Sequence, residues 1–530
     1  MKDFDTLGVM LDCSRNAVMT PAALKRYMAI LAKMGYNQLQ LYMEETYEVE
    51  GEPWFGYLRG RYTQEELRDL DDYAASLGIE LVPCVQTLAH LNAALRWPPY
   101  EPIKDIDDIL LVGEERTYQL IERMFASLRS CFRTKKIHIG MDEAHHLGRG
   151  KYYDRHGSVP ASDILLGHLK KVCELADKYG FEPMMWSDMF FRIAGGYEGN
   201  LGEVAESVRA LIPEKLSLVY WDYYRTRKAG YVERIRGHKK LTDRVIFAGG
   251  AWEWIGFTAH NEYSLRTTRA ALAACRQEGV RDVFITLWGD DGAEASFFGV
   301  LPALGYAACL AQGITDRKTI EAKFYEATGV AFKDMMLLDL PDKTQRVYKP
   351  VNPSKYLLYN DCFMGILETA GRPEDGAIYA SHARRLAYAA KRAGEYGYLF
   401  DTAAKLCRAL SLKANLCTDT RAVYQSGDKA AFDALIRRYD RTIRYVDDFT
   451  RAFRAQWMAE KKPHGFDVQD LRLGGLMERL RSCRDRLKDY AEGKVASIPE
   501  LEEELLTYRS GPCYYNLWRF TASPNVISHN

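Results

Sequence analysis

The sequence lacks several features that would place it in a common functional class. No apolar run approaches the length of a membrane span, and the start M-K-D-F-D-T-L-G has no apolar core of a signal peptide. The 72 basic and 72 acidic side chains leave no net charge, which argues against nucleic acid or an anionic membrane as a partner. The 11 cysteines include no C-x-x-C pair, which favours reduced thiols over disulfides or a zinc framework. We therefore expect a cytoplasmic protein with no metal and no cofactor.

What the sequence does contain is a regular alternation of short apolar runs and amphipathic helical segments, over roughly its first 310 residues. Thr20-Pro21 predicts a helix start with an N-cap and a first-position proline, and Thr63 starts another helix with a capping-box pattern. The predicted strands are Leu7–Arg15, Gln38–Glu45, Glu80–Gln86, Lys136–Asp142, Glu182–Asp188, Ser217–Tyr223, Val245–Trp252 and Asp282–Trp288. Eight strand–helix units predict an α/β fold, the (β/α)8 or TIM barrel.

The remainder of the chain shows a helical pattern without strands. Proline-bearing turns at Leu340–Pro353 indicate a linker, and the segment Lys461–Asp467 interrupts the helices with a proline and a glycine. The two long amphipathic segments are Tyr379–Leu412 and Ala430–Met458. We predict a catalytic barrel over residues 1–330 and an α-helical C-terminal domain over residues 331–530.

Polar and aromatic side chains follow the carboxyl end of every predicted strand, the face at which such barrels keep their chemistry. The fourth strand ends in the adjacent acids Asp142 and Glu143, within K-I-H-I-G-M-D-E-A-H from Lys136 to His145. Tryptophans there offer flat apolar walls, Arg and Asp side chains suit vicinal hydroxyls, and no glycine-rich phosphate loop is evident. The set predicts an uncharged sugar as ligand and cleavage of a glycosidic bond.

The motif H-I-G-M-D-E resembles the H-x-G-G-D-E signature of glycoside hydrolase family 20, the β-N-acetylhexosaminidases. Three further segments are similar to family motifs in the same order. Pro83–His90 (P-C-V-Q-T-L-A-H) is similar to P-E-I-D-x-P-G-H, Tyr220–Asp222 (Y-W-D) to Y-x-D, and Trp288–Asp290 (W-G-D) to W-x-E. The resemblance covers the barrel, and the chain looks like the subgroup made of a bare barrel and a helical C-terminal domain.

The sequence departs from the family pattern at three places. Met141 replaces the second glycine of H-x-G-G-D-E, and Gln86 replaces the aspartate of P-E-I-D-x-P-G-H. Glu44-Glu45 stand where an aspartate pair is usual. These changes leave the acid pair intact. They affect the expected supporting hydrogen bonds and leave open the choice between gluco- and galacto-configured sugars.

The resemblance implies a retaining β-N-acetylhexosaminidase acting on oligosaccharides or glycoconjugates that end in an N-acetylhexosamine, and long loops at the strand ends favour exo action. The nucleophile would be the substrate's own 2-acetamido oxygen, which gives an oxazolinium intermediate. Glu143 would be the general acid and then the base, Asp142 would orient the acetamide N–H, and Tyr220 would donate its hydroxyl to the acetamide oxygen. The expected substrate-binding residues are Arg15, His90, Trp186, Asp222, Tyr224 (also the second choice for the acetamide), Trp252, Trp288 and Asp290.

Other functions stay open at this point. A metal hydrolase would take ligands from His138, Asp142, Glu143, His145, His146 and Asp188, although their spacing matches no zinc motif. A non-catalytic sugar-binding barrel would bind without turnover. A conventional two-carboxylate β-glycosidase would need a second acid opposite Glu143, for which Glu253 is the candidate. A further hypothesis is a homodimer through the helical domain, with Lys461–Asp467 near a neighbour's site.

Overall fold

Eight parallel strands close into a barrel in the computed structural model, which describes residues 3–193, 208–344, 347, 349–507 and 511. The strands are β1 (Thr6–Asp12), β2 (Gln38–Tyr42), β3 (Glu80–Cys84), β4 (Lys136–His138), β5 (Glu182–Trp186), β6 (Ser217–Trp221), β7 (Val245–Gly250) and β8 (Asp282–Leu287). Their order around the barrel is β1-β8-β7-β6-β5-β4-β3-β2, so the predicted (β/α)8 fold is confirmed. A separate antiparallel hairpin pairs Lys104–Ile106 with Ile109–Leu110.

The strands begin at or next to their predicted first residues but end earlier than predicted. The sharpest case is β4, which ends at His138 rather than at Asp142, and β2 ends at Tyr42 rather than at Glu45. The polar residues that follow the strands lie outside the hydrogen-bonded ladder. Hydrophobic periodicity therefore predicted where the strands lie. They end earlier than predicted because ladder pairing is lost there.

Helices surround the barrel, and their predicted caps are present. Thr20 accepts a hydrogen bond from the Ala23 amide at 3.2 Å, and Thr63 forms a reciprocal capping box with Glu66. The helices of this region are Pro21–Met34, Gln64–Ser76, Asn92–Leu95, Glu115–Arg129, Lys151–His156, Ala161–Lys178, Asp188–Ile193, Lys228–Leu241, Asn261–Glu278, Leu301–Ala311 and Arg317–Thr328, with 3₁₀ turns at Pro98–Ile103 and Phe297–Val300. No described helix is long and apolar enough to cross a membrane.

The C-terminal region is helical, as predicted. Its helices are Phe332–Met335, Pro353–Tyr359, Asp375–Ala390, Gly397–Lys413, Leu416–Ser426, Lys429–Glu460, Phe466–Ala491 and Pro499–Glu502, with 3₁₀ turns at Met336–Asp342, Glu368–Ala370 and Gly394–Tyr396. The amphipathic segment predicted at Tyr379–Leu412 is helical and comprises parts of two helices, which residues 391–396 separate. The linker expected at Leu340–Pro353 is wrong in character, since Leu340, Asp342 and Asn352 are buried.

The chain divides into two compact units, described here one at a time. The first comprises the described residues of 1–251, 264–288 and 304–323, and the second those of 252–263, 289–303 and 324–530. The loops that follow β7 and β8 in sequence thus belong to the second unit. The domain boundary between residues 330 and 331 stays a prediction.

A buried cluster of two cations and two anions lies within the second unit. Lys355, which is 1 % exposed, forms ion pairs with Asp291 and Glu294. Arg472 donates to the Glu294 carboxylate at 2.8 Å and to the Asp291 carbonyl oxygen at 2.9 Å. The opposite charges compensate one another inside the protein. Removing one of the four groups would therefore leave its partner as an unpaired buried charge.

We predict that Glu294→Ala destabilises the protein by about 3–5 kcal/mol, because it leaves Lys355 and Arg472 short of a buried counter-charge. The matched control is Asp401→Ala, which breaks the half-exposed Lys405–Asp401 pair and should cost less than ~1 kcal/mol. Urea unfolding followed by tryptophan fluorescence measures both. Equal midpoints for Glu294→Ala and the parent would contradict the prediction.

Candidate active site at the carboxyl end of the barrel

The backbone after β4 turns through three left-handed residues. Gly140 has φ 71°, Met141 has φ 69° and Glu143 has φ 51°. A left-handed residue other than glycine costs on the order of 1–3 kcal/mol and clusters at functional sites. Glycine is required at position 140 because a Cβ there would overlap the Gln86 amide. The turn sends the side chains of Asp142 and Glu143 in different directions.

The side chain of Gln86, at the end of β3, holds this turn in place. Its amide nitrogen donates to Asp142 Oδ1 at 2.7 Å, and its amide oxygen accepts from the Met141 N–H at 3.0 Å. Gln86 is fully buried. One side chain therefore fixes both the catalytic candidate Asp142 and the left-handed residue that precedes it.

His90 forms an ion pair with Asp142, with 3.2 Å between Nε2 and Oδ2. Burial opposes the charge of both groups, but their mutual electrostatic attraction prevails. The pKa of His90 is raised to about 9 and the pKa of Asp142 is lowered to about 2. His90, expected from the sequence to bind substrate, thus pairs with Asp142, and its contact with a substrate stays a prediction.

Glu143 stands at the open side of the same turn, with a side chain 45 % exposed. Its amide donates to Asp188 Oδ2 at 3.0 Å, and its carboxylate lies 3.7 Å from His90 Nε2. Burial, and secondarily the negative charge of Asp142, raise the pKa of Asp188 to about 7. Asp142 is thus a buried anion, whereas Glu143 is an acid that a ligand can reach.

Tyr42 and Glu44 extend the network to the end of β2. The Tyr42 hydroxyl accepts from Gln86 Nε2 at 2.9 Å and donates to Glu44 Oε1 at 2.8 Å. Burial raises the pKa of Glu44 to about 7, against the attraction of Arg15. Glu44 is therefore connected to Asp142 by hydrogen bonds through Tyr42 and Gln86.

Arg15, Trp288 and Trp186 lie next to the network formed by Tyr42, Gln86 and Asp142. The Arg15 guanidinium lies 4.8 Å from the ring centroids of both Tyr42 and Trp288, and 3.2 Å from Asp12. Trp186 is 1 % exposed and packs on His138 and Trp288. Arg15 and Trp288 thus contact Tyr42, which belongs to the network that holds Asp142, whereas Trp186 packs on Trp288.

At the end of β6 the predicted residues contact one another. The Tyr220 hydroxyl donates to Asp222 Oδ2 at 2.8 Å, and Arg225 forms an ion pair with the same carboxylate. Burial raises the pKa of Tyr220. Tyr224 is 54 % exposed, whereas Tyr223 is buried and accepts a hydrogen bond from Trp288 Nε1 at 3.0 Å. The proposed sugar contacts of this group stay predictions.

Two predicted residues belong to the second unit. Trp252 is buried and stacks on Trp254 with 4.4 Å between ring centroids, and Asp290 is exposed. Glu253, the second acid required by a two-carboxylate glycosidase, is 2 % exposed. The roles of all three in a site stay predictions.

The ligand set of a metal hydrolase does not converge in the described part of the chain. His138 accepts from the Gly140 amide, and His145 and His146 are exposed on the loop after β4. One ligand atom each from His90, Asp142 and Glu143 lies within 4.8 Å of the others. A cation bound there would have to displace the proton of His90, whose pKa is about 9, and the expectation of a metal-free site stays a prediction.

A cavity of about 330 Å³ opens at the opposite end of the barrel. Its lining includes the first residues of five strands, which are Thr6, Gln38, Lys136, Glu182 and Asp282. Chemistry in these barrels lies at the carboxyl ends of the strands, so we assign the amino-end cavity no catalytic role.

Sequence reasoning missed Tyr42 and Tyr223 as site residues. It named Asp188 only as a possible metal ligand and Gln86 only as a departure from the family motif. A signal existed for Tyr42, because residues two apart on a strand share a face and Tyr42 stands two before Glu44. Gln86 lies inside a motif that marks the site, but its hydrogen bonds to Met141 and Asp142 depend on how β3 and β4 pair. These contacts follow from the tertiary structure.

Two family models match the chain: "Glycosyl hydrolase family 20, catalytic domain" over residues 4–233 and "Glycoside Hydrolase 20C C-terminal domain" over residues 333–512. Hexosaminidase D of Bos taurus is 21 % identical over 240 residues, which are 44 % of this chain and 65 % of that protein. Hexosaminidase D of Homo sapiens is 22 % identical over 211 residues, which are 38 % and 41 %. The chain thus spans less than two thirds of either relative.

Solved structures with a related fold include two enzymes. The GH20 β-N-acetylhexosaminidase of Streptomyces coelicolor A3(2) is 20 % identical with a TM-score of 0.46, over 62 % of this chain and 70 % of that one. The chitobiase of Flavobacterium johnsoniae is 15 % identical with a TM-score of 0.47, over 82 % and 75 %.

The two family models carry the assignment. They describe a catalytic domain and a C-terminal domain of one family, and together they match most of the sequence in the order in which the barrel and the helical region occur. Asp142 and Glu143, first singled out in the signature-like motif, lie within the matched catalytic domain. The chain therefore belongs to glycoside hydrolase family 20.

Proposed function

We propose that this protein is an exo-acting β-N-acetylhexosaminidase. It releases terminal non-reducing N-acetylglucosamine or N-acetylgalactosamine from oligosaccharides or glycoconjugates. The observation that carries the proposal is the pairing of a buried, ionised Asp142 with an accessible Glu143 on adjacent residues. Such a pair supplies a fixed negative charge and a mobile proton to one substrate.

The mechanism we propose is retaining and substrate-assisted. The 2-acetamido oxygen attacks the anomeric carbon while Glu143 protonates the leaving oxygen, so that the glycosidic bond breaks and an oxazolinium forms. Glu143 then takes a proton from water, which attacks the anomeric carbon and restores the acetamide. Because the nucleophile is tethered, its effective concentration reaches about 10⁵–10⁸ M when it is well oriented.

Asp142 supports this chemistry electrostatically. Its carboxylate accepts the acetamide N–H and stabilises the positive charge that develops on the oxazolinium. His90 and Gln86 keep the carboxylate ionised and oriented before substrate binds. Tyr220 is the proposed donor to the acetamide oxygen, with Tyr224 second. Tyr223, buried against Trp288, is a further candidate.

Two wider assignments are also proposals. The ten described cysteines are buried. The proposal of a reducing, cytoplasmic location rests on the sequence, whose cysteines include no C-x-x-C pair. A homodimer through the helical region is a hypothesis that the mass in solution tests. Lys461 is buried and donates to the carbonyl oxygen of Ala295 at 2.9 Å, so its side chain is engaged within its own chain.

We predict turnover of p-nitrophenyl N-acetyl-β-glucosaminide or N-acetyl-β-galactosaminide and negligible turnover of the plain β-glucoside, which has no acetamide to act as nucleophile. Asp142→Ala and Glu143→Gln should each lower kcat by about 10²-fold or more, since each removes a group that acts in the transition state. Steady-state kinetics on the three substrates measures this.

His146→Asn, an exposed change on the same loop, is the matched control and should leave the rates unchanged. Equal turnover of the plain glucoside would favour the two-carboxylate glycosidase. Tight binding of an N-acetyl sugar without turnover would favour the sugar-binding protein.

We predict that kcat/KM falls as pH rises through about 9, because His90 loses its proton there and the ion pair with Asp142 is lost. Below that pH His90 is charged, and it holds the pKa of Asp142 near 2. His90→Asn should remove the alkaline fall and move the acid limb upward, since the pKa of Asp142 then rises. The pH–rate profiles of both proteins test this, and a parent profile that is flat through pH 9 would contradict it.

We predict that Gln86→Met lowers kcat by about 10²-fold with little change in KM, because the carboxylate of Asp142 loses the donor that orients it. The matched control is Gln40→Met, which also replaces a fully buried glutamine inside the barrel. Comparable losses of kcat in the two variants, or a loss explained by unfolding in thermal melts, would show that Gln86 acts through stability alone.

A further inference from the structure

Three aromatic rings form an exposed cluster in the first unit, here called the aromatic platform: Trp54, Tyr57 and Trp97. Trp54 and Tyr57 are 37 % and 42 % exposed. The ring centroids lie 5.0 Å apart for Trp54–Tyr57, 5.2 Å for Trp54–Trp97 and 5.6 Å for Tyr57–Trp97. Contiguous exposed aromatic surface on a folded protein marks a binding surface more often than chance packing does.

The loop that carries Trp54 and Tyr57 is firmly built. Phe55, between them, is fully buried with its ring centroid 5.5 Å from that of Tyr47. Arg61 donates to the carbonyl oxygens of Pro53 and Phe55, and the Tyr57 amide bonds to the Trp54 carbonyl at 3.2 Å. The two rings are therefore presented by a preorganised backbone, which lowers the entropic cost of binding a ligand.

The loop is also attached to the strand ends that bear the candidate site. Gly56, at φ 66°, packs so closely on the Glu45 carbonyl that a Cβ would overlap it. Arg59 donates to Glu45 Oε1 at 2.8 Å and to the carbonyl oxygen of Ser14. Glu45 adjoins Glu44, and Ser14 adjoins Arg15. The loop that carries the platform is thus attached to the chain neighbours of Glu44 and Arg15.

Trp97 reaches the platform from the next loop of the barrel. It lies in the segment after β3, the same connection that carries His90 to its ion pair with Asp142. Loops that follow β2 and β3 emerge at the carboxyl end, where Asp142 and Glu143 lie. Both connections therefore contribute a residue near the catalytic pair and a ring to the platform.

We propose that the aromatic platform is a subsite for a neutral sugar ring on the leaving side of the scissile bond. This inference rests on the proposed function. An exo-acting enzyme encloses the terminal sugar, so the part of the substrate that extends over the rim lies on the leaving side. Aromatic rings suit the apolar face of a sugar while its hydroxyls stay in water. Arg59 in this loop is neutralised by Glu45, and Arg96, whose guanidinium carbon lies 5.4 Å from the Trp97 ring centroid, can donate to sugar hydroxyls.

The test compares chitotriose, with two sugars on the leaving side, and methyl N-acetyl-β-glucosaminide, whose small leaving group does not reach the platform. In Trp54→Ala/Tyr57→Ala, kcat/KM for chitotriose should fall about 10-fold, because two ring contacts with the sugar are lost. The rate on the methyl glycoside should stay within about twofold of the parent. The control is Tyr153→Ala, which removes an aromatic side chain that is 54 % exposed elsewhere on this unit.

Equal losses on both substrates, or none on chitotriose, would overturn the subsite. Conversion of an assembled parent into monomers by the double variant would also overturn it, because the rings would then be an interface between copies. If the parent hydrolyses neither substrate, the proposed function fails. Chitotriose titrated calorimetrically into the parent and the double variant then decides the subsite alone: binding lost in the variant supports it, and absence of binding overturns it.

Discussion

The Asp142 carboxylate is buried at the end of a barrel strand, where an isolated charge would cost several kcal/mol. His90 and Gln86 compensate that cost with an ion pair and a 2.7 Å hydrogen bond. His90 reaches Asp142 from a left-handed backbone position (φ 58°), as do Met141 and Glu143 on the other side of the contact. Three unfavourable backbone conformations thus serve a single buried anion. The closed barrel can sustain this strain because its strands fix the loop ends, and much of the geometry at the carboxyl end follows from keeping that charge in place.

The same constraint separates the roles of two adjacent acids. Burial raises the pKa values of Glu44 and Asp188 to about 7, whereas the pKa of Asp142 is lowered to about 2. The region therefore holds one persistent negative charge, surrounded by carboxyl groups that retain protons more readily than usual. Glu143 lies outside this arrangement, on the accessible side of the turn. The proposed substrate-assisted reaction accordingly assigns the fixed negative charge to Asp142 and the proton transfer to Glu143.

Local sequence signals were sufficient to predict the barrel and to single out the candidate site. The caps at Thr20 and Thr63, the strand starts and the D-E pair follow from residues close together in sequence. The pairing of His90 with Asp142 and the clamp by Gln86 could not be predicted in that way, because each depends on which strands become neighbours. The assignment of the loops after β7 and β8 to the second unit depends in the same way on distant segments, such as the one that brings Lys355 to Glu294.

Tryptophan shows most clearly why residue type alone does not identify a binding wall. Trp186 follows a strand as a pocket wall would, yet it is 1 % exposed and packs under the site against His138. Trp54 lies in a loop that the sequence pattern did not single out, and it presents its ring to solvent. The difference arises from the anchoring of each residue. A side chain at a strand end packs into the barrel layers with its neighbours. The loop of Trp54 is held instead by the buried ring of Phe55 and by Arg59, and it leaves the adjacent rings exposed to solvent. Aromatic contact with a substrate beyond the enclosed sugar is therefore more readily supplied by the loops than by the strands.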